Sequence, residues 1–479
     1  VSDTNLHGKD DLLNLLESCL AGAPGDQVEL VLEAEKVAVT RYANNTIHQN
    51  VWQDDTRVAV RVLAKGAVAT LICNSLEPAK IKETIAEAAV MARRQPGKHH
   101  PGFPENSHLS GDNREPGTED IESKSKFAGT TASPFFESTA TYTPLDRAEA
   151  VGQVIDLIKV GGYAGYGTYK TVISELAVVN SRGLRAYAPA TSAYLKVLVE
   201  NGTGNAGYAD QFDRDVKIID PLKTAQIAIN KCKLNLNQID LPPGKYPAVL
   251  EPNAVADMVR FMVIHGCGAQ LVQDGRSFMT GKFGEAVTGT NINLWEDPNS
   301  PHAMPFQLDY EGLAKRAVPL VIGGKATGVV YDSNTARKVP GHVSTGHAPS
   351  PISLMEPSPL PEHVVMESGT STLEELIGGL KSGLVITRFH YTHCPDPKRV
   401  IATGTTRDGT FLVENGEIVA AVKNLRYAQS VLELLASVED SGAPKTCQDW
   451  WAANGMGTTN YYLPAIRVSN CNFTGVTTY

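Results

Sequence analysis

The chain has 479 residues, room for two or three domains, and with 42% hydrophobic and 20% charged residues it can bury a large core, which excludes a disordered protein. Its net charge of −9, without any Lys/Arg run, argues against a nucleic-acid binder, because phosphate binding needs a concentrated basic patch. No apolar run reaches the ~18 residues a membrane-spanning helix needs, and Val1–Asp26 is too polar for a secretory leader, so no membrane association is expected. The cysteines (Cys19, Cys73, Cys232, Cys267, Cys394, Cys447 and Cys471) are odd in number and form no CxxC, which predicts reduced thiols in a cytoplasmic protein.

In chain order, the leucines of residues 10–21 predict an amphipathic helix with Asp10 available as its cap. Strands are expected over Val28–Glu35 and Val37–Asn50, with a polar turn at Asn44-Asn45, and then a hairpin about Lys65-Gly66. Pro78–Arg94 reads as a helix. Residues 96–144 lose all periodicity and are expected to be an irregular surface excursion in which His99, His100 and His108 are solvated. Leu145–Val160 is a second helix, followed by a glycine-rich turn, GGYAGYG, at 161–167. Three strands follow, at Thr171–Asn180, Leu184–Ala188 and Ala193–Glu200, and then a helix opened by Asp220-Pro221. The NGTGNAG stretch at 201–207 contains GxGxxG, but no helix opens on it, so it reads as a turn and not a dinucleotide site. Strands-then-helix thus occurs twice, which raises a weak internal duplication.

Beyond Leu241-Pro242-Pro243-Gly244 the chain becomes β-rich. A strand at Tyr246–Leu250 feeds a helix from about Asn253 to His265, ended by Gly266 and Gly268. A hairpin is expected about Gly323-Gly324, helices at Asp332–Val339 and Thr372–Leu380, and a turn at Asp408-Gly409. The predicted fold class is α+β in two domains. The first, 1–237, is a mixed α/β domain with the irregular excursion at about 96–144; the second, 238–479, is a β-rich, metallopeptidase-like domain carrying a central helix.

Candidate chemistry is sparse. A hydrolytic zinc helix sets two His on one face with a Glu beside them, yet neither HExxH nor HExxxH occurs. His265 with Cys267 is the best residual pair on the central helix; the competing reading is a histidine interacting with the helix C-terminus. In FHYTHC, 389–394, strand alternation puts His390 and Cys394 on one face and Phe389, Tyr391 and His393 on the other. His390, His393 and Cys394 are therefore metal candidates, weighed against ordinary packing. GxSxG and the Walker loop are absent.

RYANNTIHQN (41–50), FMTGKFGE (278–285), VIGGKATGVVYDSNTARK (321–338), TRFHYTHCPDP and TRDGTFLVENGEIVAAVKNLRYAQS (within 387–430) and LPAIRVSNCNFTG (463–475) together resemble the TldD/PmbA, or TldD/TldE, family. The resemblance implies a two-subunit zinc protease system acting in proteolysis and peptide maturation. Its TldD-type subunit carries HExxxH and cuts unfolded peptides; its TldE/PmbA-type subunit lacks the motif. Counted back from Gly284-Glu285, the motif falls on 260–265: Arg260 stands at the first His, Phe261 at the Glu, and His265 at the second His. The C-terminal cysteine ligand of the active type has no counterpart in Asp449–Tyr461. The resemblance therefore implies a TldE/PmbA-like chain with no catalytic residues and no cofactor of its own, zinc in a TldD-like heterodimer partner, and an extended peptide held by strand addition. Two alternatives stand beside it: a self-sufficient hydrolase using His265 or His390, His393 and Cys394, and a homodimeric peptide-binding protein. The family's older association with DNA gyrase finds no supporting residue.

Overall fold

The computed structural model describes residues 6–95, 100–105, 125, 127, 133–202, 205–302, 306–352, 358–453 and 459–477. Helix α1 (Lys9–Leu20) buries Leu12, Leu13 and Leu16. Asp10 lies in its first turn rather than at its cap. The cap is Gly8, whose N–H, like that of His7, donates to the Glu175 carboxylate, at 2.9 and 2.8 Å.

Strands β1 (Gln27–Ala43), β2 (Thr46–Ala64) and β3 (Ala67–Cys73) form a meander covered by α2 (Pro78–Arg94). Helix α3 (Pro144–Val160) leads into β4 (Ala164–Asn180), β5 (Arg185–Glu200) and β6 (Ala206–Asp213), which α4 (Pro221–Leu234) follows. The two meanders join along β1 and β4 into one antiparallel sheet of order β3-β2-β1-β4-β5-β6. The two strands-then-helix units are thus the two halves of one sheet.

Asn44 and Asn45 form the β1–β2 turn, both at positive φ, as a two-residue hairpin requires. The GGYAGYG stretch is a turn only at its start, since β4 already runs from Ala164. Its last glycine serves close approach: a Cβ on Gly167 would lie 2.1 Å from the Lys196 carbonyl oxygen. In the GxGxxG stretch, Gly202 is at positive φ, Gly207 lies in β6 and Gly204 is outside the described residues. A Cβ on Gly207 would meet the Ala228 carbonyl oxygen at 2.1 Å, because α4 presses on the strand there. Gly207→Ala is expected to destabilise the chain by about 1–3 kcal/mol, read as a lowered midpoint in urea unfolding. Most of the 96–144 excursion, including His99 and His108, is also outside the described residues. His100 is half-buried, and burial, aided by Arg61, pushes its pKa down to about 4.

On one face of the sheet, Tyr169, Leu195, Val197 and Ala209 pack with α3 and α4. On the other, Val31, Leu176, Val178 and Ala186 lie under Phe306, Tyr310, Leu313 and Ile352. Part of the C-terminal half therefore covers one end of the N-terminal sheet.

In the C-terminal half, β7 (Gly244–Leu250), β8 (Leu294–Glu296), β9 (Val318–Ile322), β10 (Lys325–Ala326), β11 (His363–Met366), β12 (Ser382–Asp396), β13 (Ile401–Glu414), β14 (Glu417–Ala421), β15 (Leu425–Ser430), β16 (Val438–Cys447) and β17 (Asn460–Val476) share one mixed sheet. Because β7 pairs with both β12 and β17, the strands β17, β15, β13, β12 and β7 close on themselves. Helix α5 (Pro252–Gly266), with Pro at its first position, packs against them.

The Gly323-Gly324 hairpin forms, between β9 and the short β10. The helices expected at 332–339 and 372–380 shrink to Ser333–Ala336 and Leu373–Gly378. Asp408-Gly409 is not a turn between strands. It is a bulge inside β13, with Asp408 at positive φ and its carboxylate turned onto Arg388 of β12 (Nε–Oδ2 2.7 Å).

Candidate functional site

Helix α5 is buried on nearly every side, so its polar residues identify its special face. Asn253, Asp257 and Arg260 recur at i, i+4 and i+7, one stripe of the helix. Each has a defined partner. Asn253 Nδ2 donates to Asp210 Oδ2 of β6 at 3.1 Å, tying the helix to the N-terminal sheet. Asp257 accepts the backbone N–H groups of Phe389 at 2.9 Å and Trp450 at 2.6 Å. Burial, with Asp449 nearby, pushes the Asp257 carboxyl well above the usual carboxylate range.

Arg260 Nη1 lies 3.5 Å from Asp449 Oδ2, and both residues are buried. Asp449 also accepts the N–H groups of Trp451 and Ala452 at 2.7 and 3.0 Å, capping the short helix Trp450–Ala453. That helix sets the Trp451 ring 5.7 Å from the Arg260 guanidinium, in cation–π reach. The centre of this half is thus an arginine–aspartate pair under a tryptophan.

Phe261 is buried, and its ring is parallel to His265 at 6.1 Å. The half-buried His265 has its pKa lowered by burial first and then by Arg260 and Arg276. Cys267 points elsewhere: it is fully buried in the core, with Sγ 3.7 Å from the Met262 carbonyl oxygen. The structure does not bring His265 and Cys267 into a ligand pair.

The alternation read from FHYTHC does not hold. Tyr391 sits at positive φ, and the β12–β13 register shifts between His390 and His393. Phe389 is therefore buried while Tyr391 is exposed, on opposite sides instead of one. His390 stands edge-on to Trp450 at 5.5 Å, and burial lowers its pKa to about 4. His393 is exposed, with Nδ1 3.1 Å from the Tyr391 carbonyl oxygen. Cys394 packs against the core, and burial raises its thiol to about 11, away from the thiolate a ligand or nucleophile needs.

One buried cluster carried no sequence signal. Glu296 of β8 accepts from His363 of β11, from the ring at 2.7 Å and from the backbone N–H at 2.8 Å. His347 Nε2 lies 3.1 Å from the same carboxylate. These residues are 51 and 67 positions from Glu296, and only the β8–β11 pairing and the segment covering the N-terminal sheet bring them together.

Zinc requires three or four N, O or S donors converging on one point. Arg260 places a guanidinium on this stretch of the helix, Phe261 a phenyl ring, and the nearby Asp449 carboxylate is already engaged with the guanidinium. Among the described residues no three His, Cys, Asp or Glu side chains are grouped to hold a metal ion. The residues present do not fit zinc.

Residues 243–475 match the PmbA/TldA metallopeptidase C-terminal domain, and this C-terminal half belongs to the TldD/PmbA family. Its fold is similar to the crystal structure of TldE from Thermococcus kodakarensis, with a TM-score of 0.82 and 21% identity over 96% of this chain and 100% of that one. At that identity the likeness carries the fold alone. A Haemophilus influenzae protein named metalloprotease TldD homolog is 25% identical over 56% of this chain, and a Methanothermobacter thermautotrophicus protein named metalloprotease is 24% identical over 42%. The chain spans about half the length of these curated relatives, 58% and 44%.

Proposed function

We propose that this chain is the metal-free, TldE/PmbA-type subunit of a cytoplasmic TldD/TldE-type metalloprotease, and that it holds unfolded peptide while a TldD-like partner supplies zinc. The observation that carries this reading is the buried Arg260–Asp449 pair. A fixed positive charge repels a second cation, and the neighbouring Phe261 offers no atom to take a proton from water. The remaining histidine at 265, its pKa already lowered, is a lone donor.

The test is proteolysis of an unfolded substrate by the chain, by a TldD-type protein and by the two mixed. Cleavage that needs both proteins, with co-elution as a heterodimer, is expected. Cleavage by this chain alone would refute the proposal.

A gain-of-ligand variant checks the helix register separately. Arg260→His with Phe261→Glu restores the HExxxH pattern with the native His265, and frees Asp449 beside it. The double variant is expected to bind zinc measurably in isothermal titration, unlike the parent chain. No binding by a normally folded variant would show that these side chains do not converge.

A further inference from the structure

We propose that the uncovered end of the N-terminal sheet is a carboxylate-binding pocket for an extended peptide. The occupant's being a peptide rests on the proposed function; its negative charge follows from the pocket itself. Strand register sets Arg41, Thr168, Lys196 and Asp210 opposite one another across β1, β4, β5 and β6. The adjacent row is Val39, Lys170 and Tyr194. Side chains alternate along strands, so these residues share the face that does not carry α3 and α4. Farther along the same strands this face is apolar and covered by Phe306 and Tyr310. Here it opens into a cavity of about 460 Å³ instead.

Arg41, Lys170 and Lys196 line this cavity from the sheet, and Arg388 enters from β12 with its guanidinium 4.3 Å over the Tyr208 ring. Tyr166 and Tyr194 form aromatic walls, and no Asp or Glu is among the described lining residues. The carboxylates beside the cavity are engaged. Asp210 accepts from the Tyr208 hydroxyl at 3.0 Å and from Asn253 at 3.1 Å, and Asp408 holds Arg388. Glu35 is the acidic charge that acts on Lys170.

Burial pushes both lysines below the ordinary lysine range; Arg388 adds to this at Lys196, and Arg41 at both, against the opposing charges of Asp210 and Asp408 at Lys196 and of Glu35 at Lys170. Arg41, Lys170 and Lys196 crowd like charges on the sheet beside the Asp408-paired Arg388, and an entering carboxylate offsets this through charge-assisted hydrogen bonds. The volume exceeds what a small inorganic anion fills, and the tyrosines offer flat surfaces to a peptide beside its charge.

Isothermal titration of the full chain tests this with three peptides: a capped Ala-Glu repeat, its Ala-Gln counterpart, and an Ala peptide with a free C-terminal carboxylate. The Glu peptide, or the free-carboxylate peptide if the terminus is the recognised group, is expected to bind at least about tenfold tighter than the Gln peptide. Lys170→Met with Lys196→Met is expected to abolish that preference, and Lys170→Arg with Lys196→Arg to retain it; circular dichroism shows whether each is folded. Equal binding of charged and neutral peptides overturns the pocket and leaves the subunit reading standing. Displacement of the Glu peptide by stoichiometric inorganic phosphate also overturns it, in favour of a small-anion site. Failure to bind any of the three overturns both the pocket and its peptide-holding premise.

Discussion

Asp449→Ala is expected to cost about 3–5 kcal/mol of folding stability, because it leaves the Arg260 guanidinium buried without its carboxylate. Two effects combine in that substitution, and they can be separated. Asp449 also caps the helix at 450–453, and loss of a cap alone costs about 1 kcal/mol. Asp449→Asn keeps an oxygen at the cap and removes the charge, so it is expected to retain the smaller part and lose the larger. Arg260→Met combined with Asp449→Leu removes both charges and is expected to recover most of the stability lost in Asp449→Ala, since replacing both members of a buried pair with apolar groups is often neutral. Urea unfolding of the four chains measures these differences. A loss of under about 1 kcal/mol for Asp449→Ala would mean that the pair is solvated and leaves the helix centre open.

The second large effect is expected at Glu296→Ala, about 3 kcal/mol at neutral pH, because the His363 ring and backbone N–H both lose their acceptor inside the core. The pH dependence has a definite sign. Burial lowers the His363 pKa below its ordinary 6.5, so the imidazole is neutral in the fold while the unfolded chain takes up the proton first. Stability from this residue is complete above about 6.5 and falls as the pH drops below it. The Glu296 carboxyl is held below its ordinary 4.5: burial alone would raise it, and the charge interactions and hydrogen bonds of His363 and His347 outweigh that. Its contribution is complete above 4.5 and is lost as the pH falls through the lowered folded value. Both shifts make acid destabilising. Below about pH 4.5, Glu296→Ala is expected to show a shallower acid slope than the parent, by up to about 1.4 kcal/mol per pH unit. Parallel slopes for the two proteins in denaturant titrations at several pH values would rule out this account of Glu296.

The central helix was legible because its periodicity and its Pro and Gly ends agree, and it runs from Pro252 to Gly266 against an expected 253–265. The reading of Arg260, Phe261 and His265 as degenerate motif positions rests on the resemblance; nothing local in the sequence singles out Arg260. Its partner was not legible, since Asp449 is 189 residues away and β16 brings it there. A usable signal existed in Asn253, Asp257 and Arg260, a polar stripe on a helix otherwise apolar all round, which asks for buried partners. The FHYTHC reading failed at one residue. Alternation assumes an unbroken strand, and this one is interrupted at Tyr391, which has positive φ, with the register shifting between His390 and His393 and again before Asp396. The Glu296–His363–His347 cluster could not be found by spacing at all, because strand pairing assembles it. The symmetric sheet was half legible: two meanders were readable, their union along β1 and β4 was not.

The measurement that tests the central claim most directly is zinc content of the purified chain after equilibration with excess zinc and removal of unbound metal, read by atomic emission against protein concentration. Far less than one zinc per chain is expected, with the Arg260→His, Phe261→Glu variant taking up metal under the same conditions. One zinc per native chain, lost on substitution of His265, would contradict that claim and place a ligand set beside an arginine held to exclude one.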